Sequence, residues 1–368
     1  MASLADRIVS KYNSDDVIKF SDKDSFKEVK SWASLGSPEL DENLGILGLP
    51  NGIIEIAGKS RSGKTTLALM GMKDFMDKNP DNGVAVILSS ENRDNKEYAK
   101  NLGINVDNVI IYKIRTLEKM VYLMKNLIDN TKAIYKEDEL PGEPKFYFFW
   151  DALGSTLSQA EVTAIEENVS RMEKKLIKGD DENFEAKNPQ MMAFAKVGKQ
   201  LGKIIISESY DTTMHFVMLN HYYDKTTGHG TKSTGGEWVE LFPTIRLKTV
   251  LKEHVKVDDV QVAQITRVIV EKNDFGSRKE TEIEILLGYG LVLSANDIAY
   301  GVEKKLITRE SANKYSAIGG KVSWKSKREY YDLYKEGNKF MRILHRKVLK
   351  AKHNDIFVGK GYNLDEKE

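Results

Sequence analysis

Residues Gly58 to Thr66 read Gly-Lys-Ser-Arg-Ser-Gly-Lys-Thr-Thr. Four residues separate the glycines and a Lys-Thr pair follows, the spacing of a phosphate-binding loop. The glycines let the backbone wrap a phosphate, so that successive N–H groups of Ser60, Arg61, Ser62 and Gly63 point inward. A helix opening at Lys64 adds its positive end. In such a loop Lys64 bridges the β- and γ-phosphates, Thr65 ligates Mg²⁺, and Thr66 closes the cradle. The match follows a predicted strand, Ile53–Ala57, and leads into a predicted helix, Thr65–Lys78, the context the motif requires. The alternative, a glycine-rich turn that matches by accident, would lack that context.

Two carboxylates could complete the chemistry. Asp151 ends the apolar run Phe146–Trp150, where an acid would hold the water shell of Mg²⁺; otherwise it starts a turn. Glu91 follows the strand-like run Val86–Ser90. Ligands collect at the carboxyl ends of strands in an open α/β sheet, and a glutamate there can orient and deprotonate a water. Taken alone, Glu91 reads equally well as a helix cap or a surface acid.

The elements that must position these groups alternate. Strands are expected at Ile53–Ala57, Val84–Ser89, Lys145–Trp150, Met214–Asn220, Thr244–Leu251, Ala263–Glu271 and Thr281–Leu287. Between them lie helical patterns, such as Leu117–Tyr135 with Met120, Leu123, Leu127 and Ile134 at helical spacing. The alternation predicts an α/β fold, a mostly parallel twisted sheet flanked by helices on both faces. Two polar stretches interrupt it, Thr156–Pro189 and Tyr222–Gly236, and both read as long functional loops. After Gly290 the pattern is helical, at Ala295–Lys305, Lys325–Lys335 and Asn338–Lys352. Residues 1–35 carry a helical pattern, Ala2–Lys11, and a strand-like run, Asp16–Phe20, too little to fold alone. The division expected is 1–35, 36–290 and 291–368.

Composition sets limits. The 368 residues, 40% hydrophobic and 30% charged, read as a globular chain. Cysteine is absent, which excludes disulfides, thiolate nucleophiles and Cys-ligated metal, and fits a reducing cytosol. No apolar run approaches a membrane span and the opening residues lack a signal-peptide pattern, so no membrane partner is expected. The net charge of +1 hides an asymmetry: residues 304–352 hold 15 Lys and Arg against 4 Asp and Glu. A basic end on a near-neutral chain suits an anionic partner such as nucleic acid, or is a solvated face balanced by acidic neighbours.

Five segments in order resemble the RecA-type homologous recombinases, with features of their phage UvsX-like branch. They are Gly48–Ile56 leading into the loop; Tyr98–Ile104 with Val106–Asn108; Ser233–Gly236; Gly301–Ile307; and Lys314–Ser316. The resemblance runs from about residue 16 to 352. It implies an ATP-dependent, DNA-stimulated ATPase that forms helical filaments on single-stranded DNA, or rings without it, and pairs that strand with homologous duplex. It implies Glu91 as the catalytic glutamate, Tyr98 stacking on adenine, and Asn220 sensing the γ-phosphate, where bacterial members carry Gln and the Asn220-His221 pair looks like the phage form. It implies that Lys272 reaches the nucleotide across a subunit interface. A second lysine of that kind is replaced by Asp274, for which Arg278 or Lys279 could substitute.

The resemblance places DNA-binding loops at about 156–189 and 222–236. Lys225, Lys232, Tyr222, Tyr223 and His229, with the turn at Gly235 and Gly236, would contact DNA in the second; Lys196 and Lys199 follow the first. Lysines suit phosphates and aromatics suit bases. Lys325, Lys327 and Arg328, beside Trp324, would take incoming duplex, as would Arg342, Arg346, Lys347 and Lys350. The Asp16–Phe20 strand would pair with a neighbouring subunit, Ile18 anchoring it. Single-strand-binding and loader proteins are the further partners implied, in a bacterial cytosol, whether cellular or phage-encoded. Two other readings share the loop and both carboxylates: a ring-forming helicase or motor ATPase of the same fold, and a recombinase-paralogue mediator.

Overall fold

The computed structural model describes residues 29–45, 47–92, 95–138, 140, 142–177, 193–224 and 231–358, with positions 7, 10 and 11. The expectations for Asp16–Phe20 and Ile18, for most of Ala2–Lys11, and for Lys225 and His229 lie outside the described residues.

Chain order begins with β1 (Trp32–Ala33), α1 (Pro38–Leu44) and β2 (Leu49–Pro50), which pairs back on β1. Pro38 sits in the first turn of α1, where its missing N–H costs nothing, and Gly45 ends it in the left-handed region at φ 117°. The central elements are β3 (Gly52–Gly58), α2 (Lys64–Lys78), β4 (Gly83–Ser89), α3 (Lys96–Asn101), β5 (Val109–Lys113), α4 (Leu117–Glu137), β6 (Lys145–Asp151), α5 (Gln159–Ile177), α6 (Ala193–Asp211), β7 (Met214–Asp224), β8 (Thr231–Ser233) and α7 (Trp238–Leu241). A meander follows: β9 (Ile245–Val257), β10 (Val260–Asn273), β11 (Glu280–Leu286) and β12 (Gly290–Val292). The chain closes with α8 (Ala295–Glu303), β13 (Ile307–Arg309), β14 (Tyr315–Ala317), β15 (Val322–Trp324), α9 (Lys327–Lys335) and α10 (Lys339–Val358).

One sheet runs β12-β11-β10-β9-β3-β7-β6-β4-β5, with β8 on the end of β7. Neighbours from β9 to β5 are all parallel, and those from β9 to β12 antiparallel. The mostly parallel sheet expected from the alternation is therefore present. Both its faces are covered, which is why its strands read as continuous apolar runs. Strand periodicity sends Phe146, Phe148 and Trp150 to the layer of α4 and α6, against Met120, Met124 and Leu201. Tyr147 and Phe149 go to the layer of α2, against Leu67, Met72 and Phe75. The buried stripe of α4 is Leu117, Met120, Met124 and Ile128; of the residues expected there, Leu123 and Leu127 are partly buried and Ile134 is exposed.

Three expectations change. The stretch 156–189 is not one loop: α5 occupies Gln159–Ile177. Ser158 and Glu161 exchange bonds at its start, Glu161 accepting from the Ser158 backbone and hydroxyl at 2.6 and 2.8 Å while its own N–H donates to Ser158 Oγ at 3.3 Å. This is a capping box, and it fixes where the helix begins. The stretch 222–236 is in part a hairpin, because β7 continues to Asp224 and β8 returns opposite Tyr222 and Tyr223. The end of the chain is not purely helical, since β13, β14 and β15 form a small antiparallel sheet.

That end has its own core. Trp324, Tyr330, Tyr331, Met341, Leu344 and Val348 pack with Val255 and Ala263 of β9 and β10. Trp324 is buried and stacks on Tyr315 at 5.5 Å between ring centres. Lys352 of α10 binds Asp297 of α8 at 2.6 Å and also Glu39 of α1, tying three helices together.

Candidate nucleotide site

Four neighbouring parallel strands, β3, β7, β6 and β4, lie side by side and deliver one candidate group each. Past β3 lies the loop 59–63; Asn220-His221 stand on β7 level with the last residues of β3, Asp151 ends β6, and two residues past β4 is Glu91. The apolar strands fix their register by burial, so the polar tips have no choice of place.

The loop is shaped by its own bonds. Ser62 Oγ donates to Lys59 O at 2.7 Å and lies 2.6 Å from Thr249 Oγ1 of β9. Gln264 of β10 donates to Arg61 O at 3.0 Å, and Arg61 holds φ 59°. Gly58 allows this closeness, since a Cβ there would stand 2.2 Å from Thr249 Oγ1. Lys64 Nζ donates to Gly58 O and Lys59 O at 2.9 and 2.8 Å, which aims the ammonium across the mouth of the loop. Burial lowers its pKa to about 8, against the upward pull of Asp151 and Glu91. Ser60 and Arg61 are exposed on the rim.

Thr65 and Asp151 share the wall of a largely apolar cavity of about 250 Å³ with Tyr98, Ile104, Val106 and Phe149. The Tyr98 hydroxyl is 2.6 Å from Thr66 Oγ1, and burial pushes its pKa up. A lysine ammonium, a hydroxyl and a carboxylate around one loop form a donor set that suits a magnesium–nucleotide pair.

Asn220 and His221 part company. Asn220 is fully buried; its Nδ2 donates to Glu55 Oε1 at 2.7 Å and to Thr234 O at 2.9 Å, and its Oδ1 accepts from His221 N at 2.8 Å. His221 is the residue at the opening, with Nε2 at 3.5 Å from Glu91 Oε1. The resemblance gives the sensing role to Asn220; alternation along β7 sets Asn220 and His221 on opposite faces, and His221 is the one that stands beside Glu91. Glu55, not singled out in the sequence, accepts from Arg246 Nε at 2.6 Å. Burial raises the Glu55 pKa against the pull of Arg246 and the Asn220 amide.

Of the residues expected at nucleic acid, Lys196, Lys199, Tyr223, Lys325, Lys327 and Arg328 are exposed. Arg328 pairs with Asp258, and Lys325 lies 3.8 Å from Glu329. Tyr222 turns inward, its hydroxyl bonded to Glu271 and its ring 5.0 Å from Lys248 Nζ. Lys232 stands opposite Tyr223 in the hairpin. Gly235 and Gly236 both have positive φ, and a Cβ on Gly235 would meet Val239 at 2.5 Å. Lys272 donates to Leu241 O at 3.1 Å, capping α7 of its own chain.

Fold and site together define a P-loop α/β protein with the phosphate loop after the central strand β3 and acids at the tips of β6 and β4, two and three strands away. The model of the RecA N-terminal domain matches residues 1–134. Protein RecA of Mycoplasma mobile is 27% identical over 284 residues, covering 76% of this chain and 75% of that protein. Protein RecA of Sinorhizobium fredii is 25% identical over 308 residues, covering 80% and 73%. Protein RecA of Acidothermus cellulolyticus is 27% identical over 279 residues, covering 75% and 72%. The chain is thus similar to the RecA N-terminal domain over its first 134 residues and, at 25–27% identity, to RecA proteins over about three quarters of its length.

Proposed function

We propose that the protein is an ATP-dependent DNA recombinase that assembles on single-stranded DNA and exchanges that strand with homologous duplex. One observation carries the reading: β7, which passes the nucleotide site at Asn220-His221, runs on into the hairpin proposed for DNA, and Asn220 bonds that strand to Thr234 at the hairpin's far side. A change at the phosphate site therefore has a direct covalent and hydrogen-bonded route to the DNA contact.

In this reading the loop N–H groups and Lys64 would hold the phosphates, and Thr65 and Asp151 would hold Mg²⁺. Neutralisation of phosphate charge is the chemistry that Mg²⁺ would supply there when bound. Glu91 takes a proton from the attacking water. His221, beside Glu91, would meet the γ-phosphate, while Asn220 behind it would hold the hairpin. Residues 1–35 would join subunits, 36–290 form the ATPase core and 291–368 collect duplex on their basic face. A head-to-tail contact of this kind builds a helix. Lys272 would leave its helix-capping bonds to reach a neighbour's nucleotide. Loader and single-strand-binding partners, a bacterial cytosolic setting and the phage branch, which the Asn220-His221 pair favours, belong to the same proposal.

The test is strand exchange between circular single-stranded DNA and linear homologous duplex, with ATP and Mg²⁺. Joint molecules that need homology and vanish in Lys64→Ala support the reading. Unwinding of duplex without homology would replace it with a motor.

A further inference from the structure

Strand β3 reads Gly-Ile-Ile-Glu-Ile-Ala-Gly, and its one charged residue, Glu55, is completely buried three residues before the phosphate loop. Burying a carboxylate is costly, and an apolar pair would hold two strands together as well. The position is built from both sides. Arg246 is the register partner of Glu55 on β9 and donates Nε to Oε2 at 2.6 Å. Asn220, on β7 opposite Ala57, donates Nδ2 to Oε1 at 2.7 Å. The second Nδ2 hydrogen goes to Thr234 O, and Oδ1 accepts from His221 N. Both donors and the acceptor of the amide are thus in use. An amide flip would set its oxygen against the carboxylate and its NH₂ against the His221 N–H, so the carboxylate permits one orientation only.

We propose that Glu55 is a positioning residue that couples the nucleotide site to the DNA hairpin: by fixing the Asn220 amide it joins the backbone of His221 to that of Thr234. The proposal rests on the recombinase reading. Glu55 touches neither nucleotide nor DNA; it makes one rigid unit of the residue facing Glu91 and the far strand of the hairpin.

The experiment compares wild type, Glu55→Gln, the double variant Glu55→Gln/Arg246→Met, and Asn220→Ser. Two readouts are taken: hydrogen–deuterium exchange at the His221 and Gly235 amides, and ATP turnover with and without single-stranded DNA. A glutamine oxygen cannot serve Arg246 and Asn220 together, and its NH₂ must face one of those donors. Glu55→Gln is expected to speed His221 exchange about tenfold and cut DNA stimulation about fivefold, with DNA-free turnover and the KM for ATP within about twofold of wild type. Removing Arg246 as well frees the glutamine oxygen for Asn220 and should restore both. Asn220→Ser, which leaves the ion pair intact, should lose both even if Glu55→Gln does not fold. Unchanged exchange and stimulation in folded Glu55→Gln, or no rescue in the double variant, overturns the proposal. If DNA does not stimulate wild type, the recombinase reading fails, and the exchange arm alone decides whether Glu55 fixes the unit.

Discussion

His221 Nε2 lies 3.5 Å from Glu91 Oε1, so β7 and the tip of β4 meet across β6 at the mouth of the phosphate loop. In the proposed function the pair divides the work. Glu91→Gln should lower ATP turnover by about 10²–10⁴, the usual worth of a general base, with nucleotide affinity kept. His221→Ala should leave nucleotide binding within about threefold but weaken DNA stimulation of turnover. Steady-state hydrolysis and equilibrium binding of a fluorescent nucleotide check both.

Nucleotide affinity should depend on pH through Lys64. Burial brings its pKa to about 8 from the ordinary 10.5, while bound phosphate favours the charged form. Affinity should be flat below pH 8 and fall by up to about tenfold per unit above it, with a proton taken up on binding. Between pH 8 and 10.5 the unfolded chain binds more protons here than the empty folded site, so this group's contribution to stability rises with pH across that window. Calorimetry in buffers of different ionisation enthalpy would count the proton.

Gly58→Ala tests the fit of the loop against β9. The added Cβ would meet Thr249 Oγ1 at 2.2 Å, Ser62 Oγ at 2.5 Å and Thr249 O at 2.6 Å, and the last is backbone. The loop must move off the strand. Nucleotide affinity should drop at least about tenfold, with a thermal shift of a few degrees.

Lys352→Met tests how the C-terminal elements are held. The lysine is 9% exposed and serves both Asp297 and Glu39. Removing it leaves the buried Asp297 carboxylate with its Ser294 bonds but no counter-charge, which should cost about 2 kcal/mol in urea unfolding, with DNA-free ATP turnover unchanged.

The central strands were legible because burial on both faces makes them apolar throughout, and the phosphate loop because its glycines and Lys-Thr pair have fixed spacing. Helix α5 was hidden by its charge, although Ser158 and Glu161 spell out its capping box. The hairpin was hidden by glycine, threonine and lysine, which read as loop; its pairing is settled by β7 running past the sheet. Strands β13 to β15 are three residues each, too short for a period to register. Glu55 drew no notice because its meaning depends on Arg246, 191 positions away. Which of Asn220 and His221 faces Glu91 depends on the direction of each side chain, not on its type.

The most direct test is ATP hydrolysis with and without single-stranded DNA, on wild type and on Glu91→Ala. DNA is expected to stimulate wild-type turnover severalfold, and Glu91→Ala to abolish turnover while still binding ATP and DNA. Turnover that ignores DNA, or that survives in Glu91→Ala, would contradict the proposed function.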